Sequence, residues 1–247
     1  MSLLSVEGVT LEYHNGKQSF TAAHRVSFDV GRGDRFIILG PSGCGKSTIL
    51  KAVGGYLKPV EGRILLNGKI INAPGPDRVF VFQELDQLLP WKTVKDNIIF
   101  ALTASRKLPR REAGERAAAF IEKVNLTAFS GSYPHTLSGG MKQRAAIARA
   151  MAVEPEILLM DEPFAALDAL TRSKMQDELL QLCVESKFTV LFVTHSIPEA
   201  VRLGTRIVLL SAPPGRVKAE VEGRDADARR IHEILFDGKL EEGNVHV

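Results

Sequence analysis

The sequence predicts an α/β protein: a core of mainly parallel sheet, an antiparallel β layer beside it, and a helical subdomain inserted between core strands. Three observations predict it. Short continuous apolar runs, among them Phe36-Ile37-Ile38-Leu39, Ile157-Leu158-Leu159-Met160 and Val190-Leu191-Phe192-Val193, have the length and composition of strands buried on both faces. Helix-patterned stretches alternate with them, the order of a parallel sheet with helical crossovers. From residue 84 to residue 156 the text is helical and strand signals stop.

Taken in order, residues 3–34 read as β-rich. Val9-Thr10-Leu11-Glu12-Tyr13 alternates, residues 14–17 form a turn, and Val26-Ser27-Phe28-Asp29-Val30 alternates again. The first core strand and a glycine-rich turn follow, then a helix ended by Gly54-Gly55 and Pro59. Residues 61–69 read as a hairpin with an Asn67-Gly68 turn, and Val79-Phe80-Val81-Phe82 as a strand running into Gln83. Helices are expected over 93–106 and 110–123, with Pro109 at the second start, and the only tryptophan, Trp91, as a packing anchor or a partner contact. An Ala-rich helix follows Ser138, a long helix spans about 170–185, and strands close the core at 189–193 and 206–210. The expected organisation is one domain: 1–83 and 157–223 as core with β layer, 84–156 as helical subdomain, and 224–247 as a tail with a short helix through about Phe236 and a fraying end.

The glycine-rich turn is Gly40-Pro41-Ser42-Gly43-Cys44-Gly45-Lys46-Ser47-Thr48. Its spacing is G-x-x-x-x-G-K-[ST], with a strand before it and a helix after it. Glycines let successive N–H groups turn inward as a nest for phosphate oxygens, and the helix start adds its positive end. Lys46 supplies a point charge for the β- and γ-phosphates, and Ser47 a hydroxyl for Mg²⁺. The pattern points to a bound nucleoside triphosphate; a structural turn is the bland alternative.

Other positions carry weaker local signals. Asp161-Glu162 ends an apolar strand, where two carboxylates are costly unless they hold a cation or a proton. Asp161 suits Mg²⁺ and Glu162 suits removal of a proton from water. Ser138 before Gly139-Gly140 is a plausible N-cap and a second anion-binding helix start. Gln83 and His195 sit at strand ends where ligand contacts cluster, although either residue alone reads equally as a surface or structural group. Tyr13 alone reads as a half-buried strand residue.

Composition narrows the classes. The chain has 247 residues, 45% hydrophobic and 25% charged, and a net charge of +3, too small to imply nucleic acid. Two cysteines, Cys44 and Cys183, make no disulfide framework and fit a reducing compartment. The amino terminus lacks the pattern of a signal peptide, and no apolar run approaches a membrane span. Work at a membrane is therefore expected to go through a partner.

The ordered set, the phosphate loop, Gln83, Leu-Ser-Gly-Gly at 137–140, Leu-Leu-Met-Asp-Glu-Pro at 158–163, Ala-Leu-Asp at 166–168 and His195, resembles the nucleotide-binding subunit of ATP-binding cassette (ABC) transporters. The resemblance spans residues 3 to 222 and implies a P-loop NTPase core of the RecA-like kind. It implies that ATP is hydrolysed with Mg²⁺, in a head-to-tail dimer that sandwiches each ATP between the phosphate loop of one copy and Ser138, Gly139 and Gly140 of the other. By matching position, Tyr13 stacks on adenine, Lys46 grips phosphates, Ser47 and Gln83 ligate Mg²⁺, and Asp161 holds the metal through water. Glu162 is the general base, His195 contacts the γ-phosphate, and Asp168 bridges the copies.

A narrower likeness, in Pro74-Gly75-Pro76-Asp77-Arg78, Leu88-Leu89-Pro90-Trp91, Met141, Ala169-Leu170-Thr171-Arg172 and Pro214-Gly215-Arg216-Val217, is to importers of the nitrate, sulfonate and taurine group. It implies membrane permease subunits as partners, an extracytoplasmic solute-binding protein reached through them, a place on the cytoplasmic face of the membrane, and a small anionic solute. Ser196, Ala166 and residues 84–87, with Lys92 and Lys95, depart from that group's commonest text. The rival readings are a non-transport ABC ATPase and the ATPase subunit of an exporter. Intact Gln83, Glu162 and His195 speak against a protein that binds ATP without hydrolysing it.

Overall fold

The structure is a computed structural model that describes residues 2–16, 18–105 and 108–236. Two long strands, β1 (Ser2–Asn15) and β2 (Gln18–Gly31), open the chain as an antiparallel pair. Then come β3 (Arg35–Leu39), helix α1 (Lys46–Val53), and the short hairpin β4 (Glu61–Leu66) and β5 (Lys69–Ile70). After β6 (Arg78–Val81) the helical segment holds α2 (Val94–Ala104), α3 (Arg110–Lys123) and α4 (Gly139–Ala152). The core resumes with β7 (Ile157–Asp161), α5 (Ala169–Ser186), β8 (Val190–Thr194), α6 (Ile197–Leu203) and β9 (Arg206–Leu210), and closes with β10 (Val217–Glu222) and α7 (Ala228–Phe236).

Strands β1, β2, β4 and β5 form a four-stranded antiparallel sheet in the order β2-β1-β4-β5. The other six form the core sheet in the order β10-β9-β3-β8-β7-β6, parallel throughout except for β10. The core strands sit between two apolar layers, so their side chains sort by parity. Ile37 and Leu39 of β3, Leu158 and Met160 of β7 and Phe192 of β8 face the helical side. Phe36, Ile38, Ile157, Leu159, Leu191 and Val193 face the β layer, where Phe28 stacks on Phe36 with centroids 5.0 Å apart. This explains why these strands read as unbroken apolar runs.

Several details differ from the sequence reading. β6 begins one residue earlier than expected and leaves Phe82 outside it, 36% exposed. β10 and α6 are additional elements; β10 is an edge strand whose Ala219 and Val221 pack inward between charged residues, a pattern easily taken for loop. Trp91 is no packing anchor: it is 69% exposed, and the cluster beside it is filled by Leu88, Val94 and Ile98. The expected end of α2 at Arg106, residue 17 of the first turn, and residues 237–247 of the tail lie outside the described residues. Among the described residues no helix is long and apolar enough to cross a membrane.

The phosphate loop is braced from both sides. Gly45, at φ 89°, lies so close to β2 that a Cβ there would stand 2.5 Å from the Ala22 carbonyl oxygen. On the other flank Gly215 exchanges backbone bonds with β2, donating to Ala22 O (3.0 Å) and accepting from His24 N (2.9 Å). A Cβ on Gly215 would meet the Cys44 carbonyl oxygen at 2.0 Å. Gly215→Ala is therefore expected to displace the loop, lowering Tm by roughly 5 °C and weakening ATP binding about tenfold or more. Thermal melts with and without ATP check it; an unchanged ATP-induced shift would contradict the brace.

Candidate nucleotide-binding site

The loop at 40–48 leaves β3 and enters α1 through Gly45, which stands at the helix N-cap position in a left-handed conformation. Gly43 is left-handed too, at φ 80°. Left-handed residues alternating with ordinary ones, as here on either side of Cys44, turn successive amides to one side and make an anion-binding concavity. Lys46 is 5% exposed and its Nζ donates to Gly40 O and Pro41 O, both at 2.9 Å, so its charge stands at the mouth of the loop. Cys44 is wholly buried, and burial pushes its thiol pKa up, which makes it packing rather than a reactive thiol. Cys183, in α5, is pushed up to about 12 by burial.

Ser47 Oγ donates to Asp161 Oδ1 at 2.8 Å. Burial raises the Asp161 pKa, and neighbouring Glu162 adds to this, while the Ser47 hydrogen bond opposes it. A partly buried carboxylate whose charged form is disfavoured, beside a hydroxyl on a helix start, suits a divalent cation. Among the described residues no group of three or more His, Cys, Asp or Glu side chains could hold a metal. Ser47 Oγ and Asp161 Oδ1 are oxygen donors of the kind Mg²⁺ takes, and that ion keeps waters and substrate phosphates as its other ligands, needing only one or two protein groups.

Glu162 follows in a left-handed backbone conformation, φ 41°, with its N–H on Val193 O at 3.0 Å. That turn aims its carboxylate back along the sheet edge, where Oε2 lies 2.9 Å from His195 Nδ1. Tyr13, 43% exposed, places its hydroxyl 3.2 Å from Thr48 Oγ1, over the start of α1. Gln83 is exposed just beyond β6. These residues gather at the carboxyl ends of the core strands, where α/β sheets bind ligands.

Ser138 and Asp168 belong to a second cluster. Ser138 caps α4, its Oγ accepting from Met141 N at 3.4 Å, and Asp168 caps α5, accepting from Thr171 N at 3.0 Å. The Thr171 amide holds the Asp168 carboxyl below the usual carboxylate range. The two helix starts adjoin: a Cβ on Gly140 would stand 2.9 Å from Thr171 Cγ2, and one on Gly139 would stand 3.8 Å from Leu167 Cδ2. Ser138 itself is exposed. No hydrogen bond among the described residues joins 138–140 to the phosphate loop.

Three residues that shape the site gave no readable sequence signal of that role. Gln87 folds the segment after Gln83 into a tight loop, bonding Phe82 N (3.1 Å), Phe82 O (3.0 Å) and Glu84 O (2.9 Å) through its amide. Arg149 of α4 donates to Gln87 O at 2.9 Å, tying that loop to the Ser138 helix. Arg172 holds the 164–167 turn through Phe164 O (3.2 Å) and Leu167 O (2.9 Å). A cavity of about 340 Å³, lined by Arg32, Phe120, Lys123 and Lys187, lies at the opposite, amino-terminal edge of the core strands and takes no part.

The family model described as ABC transporter matches residues 23–165. The chain belongs to the ABC transporter family. It is 47% identical, over 89% of its length and 81% of the relative, to an uncharacterised ABC transporter ATP-binding protein of Methanocaldococcus jannaschii. It is 49% identical to a taurine import ATP-binding protein of Rhizobium johnstonii, over 81% of this chain and 76% of that one. A dimeric ATP-binding cassette solved with ADP and Pi superposes with a TM-score of 0.77 at 33% identity, covering 90% of this chain and 99% of that one. Fold and enzyme class follow: this is an ABC ATPase with a P-loop NTPase core.

Asp161→Asn tests the electrostatics of this ABC site. The folded-state pKa of Asp161 is raised, so ionisation there costs stability; the cost is absent below the ordinary carboxylate pKa and grows as pH rises through the raised one. The amide keeps the Ser47 bond without the charge. The variant should melt roughly 3 °C higher near pH 8, with a smaller gain near pH 4. A lower Tm at the higher pH would contradict this balance.

Proposed function

We propose that this chain is the ATPase subunit of an importer for a small anionic solute, and that it works as a head-to-tail dimer docked on membrane permease subunits. The observation that carries the reading is the pairing, in one chain, of a complete phosphate loop with a separate exposed helix start at Ser138. Each ATP would lie between the loop of one copy and Ser138, Gly139 and Gly140 of the other, with Asp168 near the junction. Similar proteins support the import half: the taurine protein above, an aliphatic sulfonates import ATP-binding protein of Bacillus cereus at 42% identity, and a bicarbonate transport ATP-binding protein of Synechocystis at 41%. Aliphatic sulfonates and bicarbonate are small anions, and taurine, a zwitterion, carries a sulfonate group.

The geometry supports a set of proposed roles. Tyr13 offers its ring to the adenine, and the loop amides with Lys46 take the phosphates. Ser47, Asp161 and Gln83 would hold Mg²⁺, which neutralises phosphate charge when bound. Glu162 takes a proton from the attacking water, and His195, 2.9 Å from its carboxylate, orients that carboxylate and the terminal phosphate. Trp91 (69% exposed), Phe100 (46%) and Phe82 (36%) are exposed aromatic side chains that a permease would meet, at the cytoplasmic face of the membrane. Gln87 and Arg149 tie the loop beside Phe82 to the Ser138 helix, so docking and dimer closure are mechanically joined.

Glu162→Gln should leave ATP affinity within about twofold and cut turnover about a hundredfold or more, measured as phosphate release from the assembled complex. Near-normal turnover would remove Glu162 as the base. Trp91, the only tryptophan, reports docking directly. Its emission should blue-shift when a permease subunit binds, and Trp91→Ala should weaken that binding by about 2 kcal/mol, roughly thirtyfold. Emission that ignores the permease would contradict the docking surface.

A further inference from the structure

Glu199 is the acidic side chain most withdrawn from solvent among the described residues, 7% exposed, and none of the roles above uses it. It sits in α6, four residues beyond His195. Its Oε1 accepts from Gln176 Nε2 of α5 at 2.8 Å, and its Oε2 accepts from the Thr194 hydroxyl. Gln176 and Thr194 are themselves buried, 6% and 1% exposed, so three buried polar side chains satisfy one another. A buried carboxylate costs several kcal/mol unless it is paired or hydrogen-bonded in this way, so the arrangement demands a reason.

Helix capping alone does not supply one. Ser196 caps α6, its Oγ accepting from Glu199 N at 3.4 Å, in the Ser-x-x-Glu spacing of a capping box. In a capping box the glutamate reaches back to the N–H of the cap residue. Here that N–H, Ser196 N, goes to Thr194 Oγ1 at 3.0 Å, and Glu199 reaches the same hydroxyl instead. With the Glu199 carboxylate ionised, the direction of each bond is set. Thr194 spends its one proton on the Glu199 carboxylate, which leaves a lone pair aimed at Ser196 N. The peptide that follows His195 is therefore pinned by a hydroxyl on the residue before it, and Glu199 dictates that hydroxyl's orientation. On the far side, Gln176 Oε1 accepts from Arg202 Nη1 at 3.3 Å, and Gln176 lies on the helix that Asp168 caps.

We infer that Glu199 is a positioning residue for His195: through the Thr194 hydroxyl it holds the strand-end turn that sets the imidazole against Glu162, and through Gln176 it references that turn to α5. The inference rests on the proposed role of His195. Phosphate-loop residues stand outside this network, so its loss should slow the chemical step and leave ATP binding alone. A glutamine at 199 does not reproduce it, because its amide nitrogen would face either the Gln176 amide donor or the Thr194 proton.

The test uses the full chain in its assembled complex, with kcat and KM for MgATP and the Kd of a fluorescent ATP analogue. Thr194→Val is nearly isosteric and keeps the strand; Thr194→Ser keeps the hydroxyl. The expected result is a kcat about tenfold lower for Thr194→Val and for Glu199→Ala, Kd within about twofold, and Thr194→Ser within about twofold of wild type throughout. The double variant should be no slower than the slower single one, because both changes break the same chain of bonds. Thr194→Val with wild-type kcat, or with Kd weakened as much as kcat falls, overturns the inference, and this holds even if Glu199→Ala does not fold. His195→Ala separates the two readings. If it too retains wild-type kcat, the role given to His195 fails; if it collapses while Thr194→Val does not, only the positioning by Glu199 fails.

Discussion

The parallel register of three adjacent strands is the constraint on which the site depends. Leu39 of β3 pairs with Thr194 of β8, and Val193 of β8 pairs with Asp161 of β7. Strands in a sheet stand about 4.8 Å apart, so the residues that follow these pairs emerge side by side on one edge. They are Gly40, His195 and Glu162: the start of the phosphate loop, the imidazole and the carboxylate. A slip of one residue in either pairing would turn the side chains to opposite faces and bury the wrong set. The two apolar layers that sort Ile37 from Ile38 and Leu158 from Leu159 prevent that slip. Packing far from the nucleotide thus sets the chemistry at the edge.

Much of this was legible before any coordinates. The buried strands are continuous apolar runs, and the phosphate loop, Asp161-Glu162 and Ser138 each carry a local pattern whose chemistry follows from residue type and spacing, whereas Asp168 stands out only through the family resemblance. Features that depend on distant partners were not legible. Trp91 reads as a core residue by composition, yet the space beside it is taken by Leu88, Val94 and Ile98. Gln87, Arg149 and Arg172 look like ordinary surface residues until the chain brings carbonyl oxygens to them. Glu199 looks like half of a capping box, and only the fold shows that its carboxylate is turned to Thr194. Local motifs survive in one dimension, whereas a hydrogen bond across the sheet does not.

The site also shows a tension between stability and function. Asp161 is held where burial disfavours its charge, and Glu162 in a strained left-handed turn, positions that a fold selected only for stability would fill with Asn and Gly. Both costs fall at the sheet edge, beside the loop that offers backbone amides to an anion. Ser138 is exposed at a helix start and Gly139 and Gly140 are half-buried beside it, and no hydrogen bond of the described residues connects them with that loop. Two half-sites on one chain fit the proposed symmetric pair, because a self-complementary interface would bring each half to the other's partner.

That pairing is tested most directly by complementation. Lys46→Ala destroys the loop half and Ser138→Arg destroys the helix-start half, so each variant alone should be inactive. Mixed in equal amounts, half of the dimers are heterodimers, each with one intact composite site built from the Ser138→Arg copy's loop and the Lys46→Ala copy's helix start. Turnover should return to roughly a quarter of wild type. Mixtures that stay as inactive as the separate variants, while still exchanging subunits, would contradict the shared site.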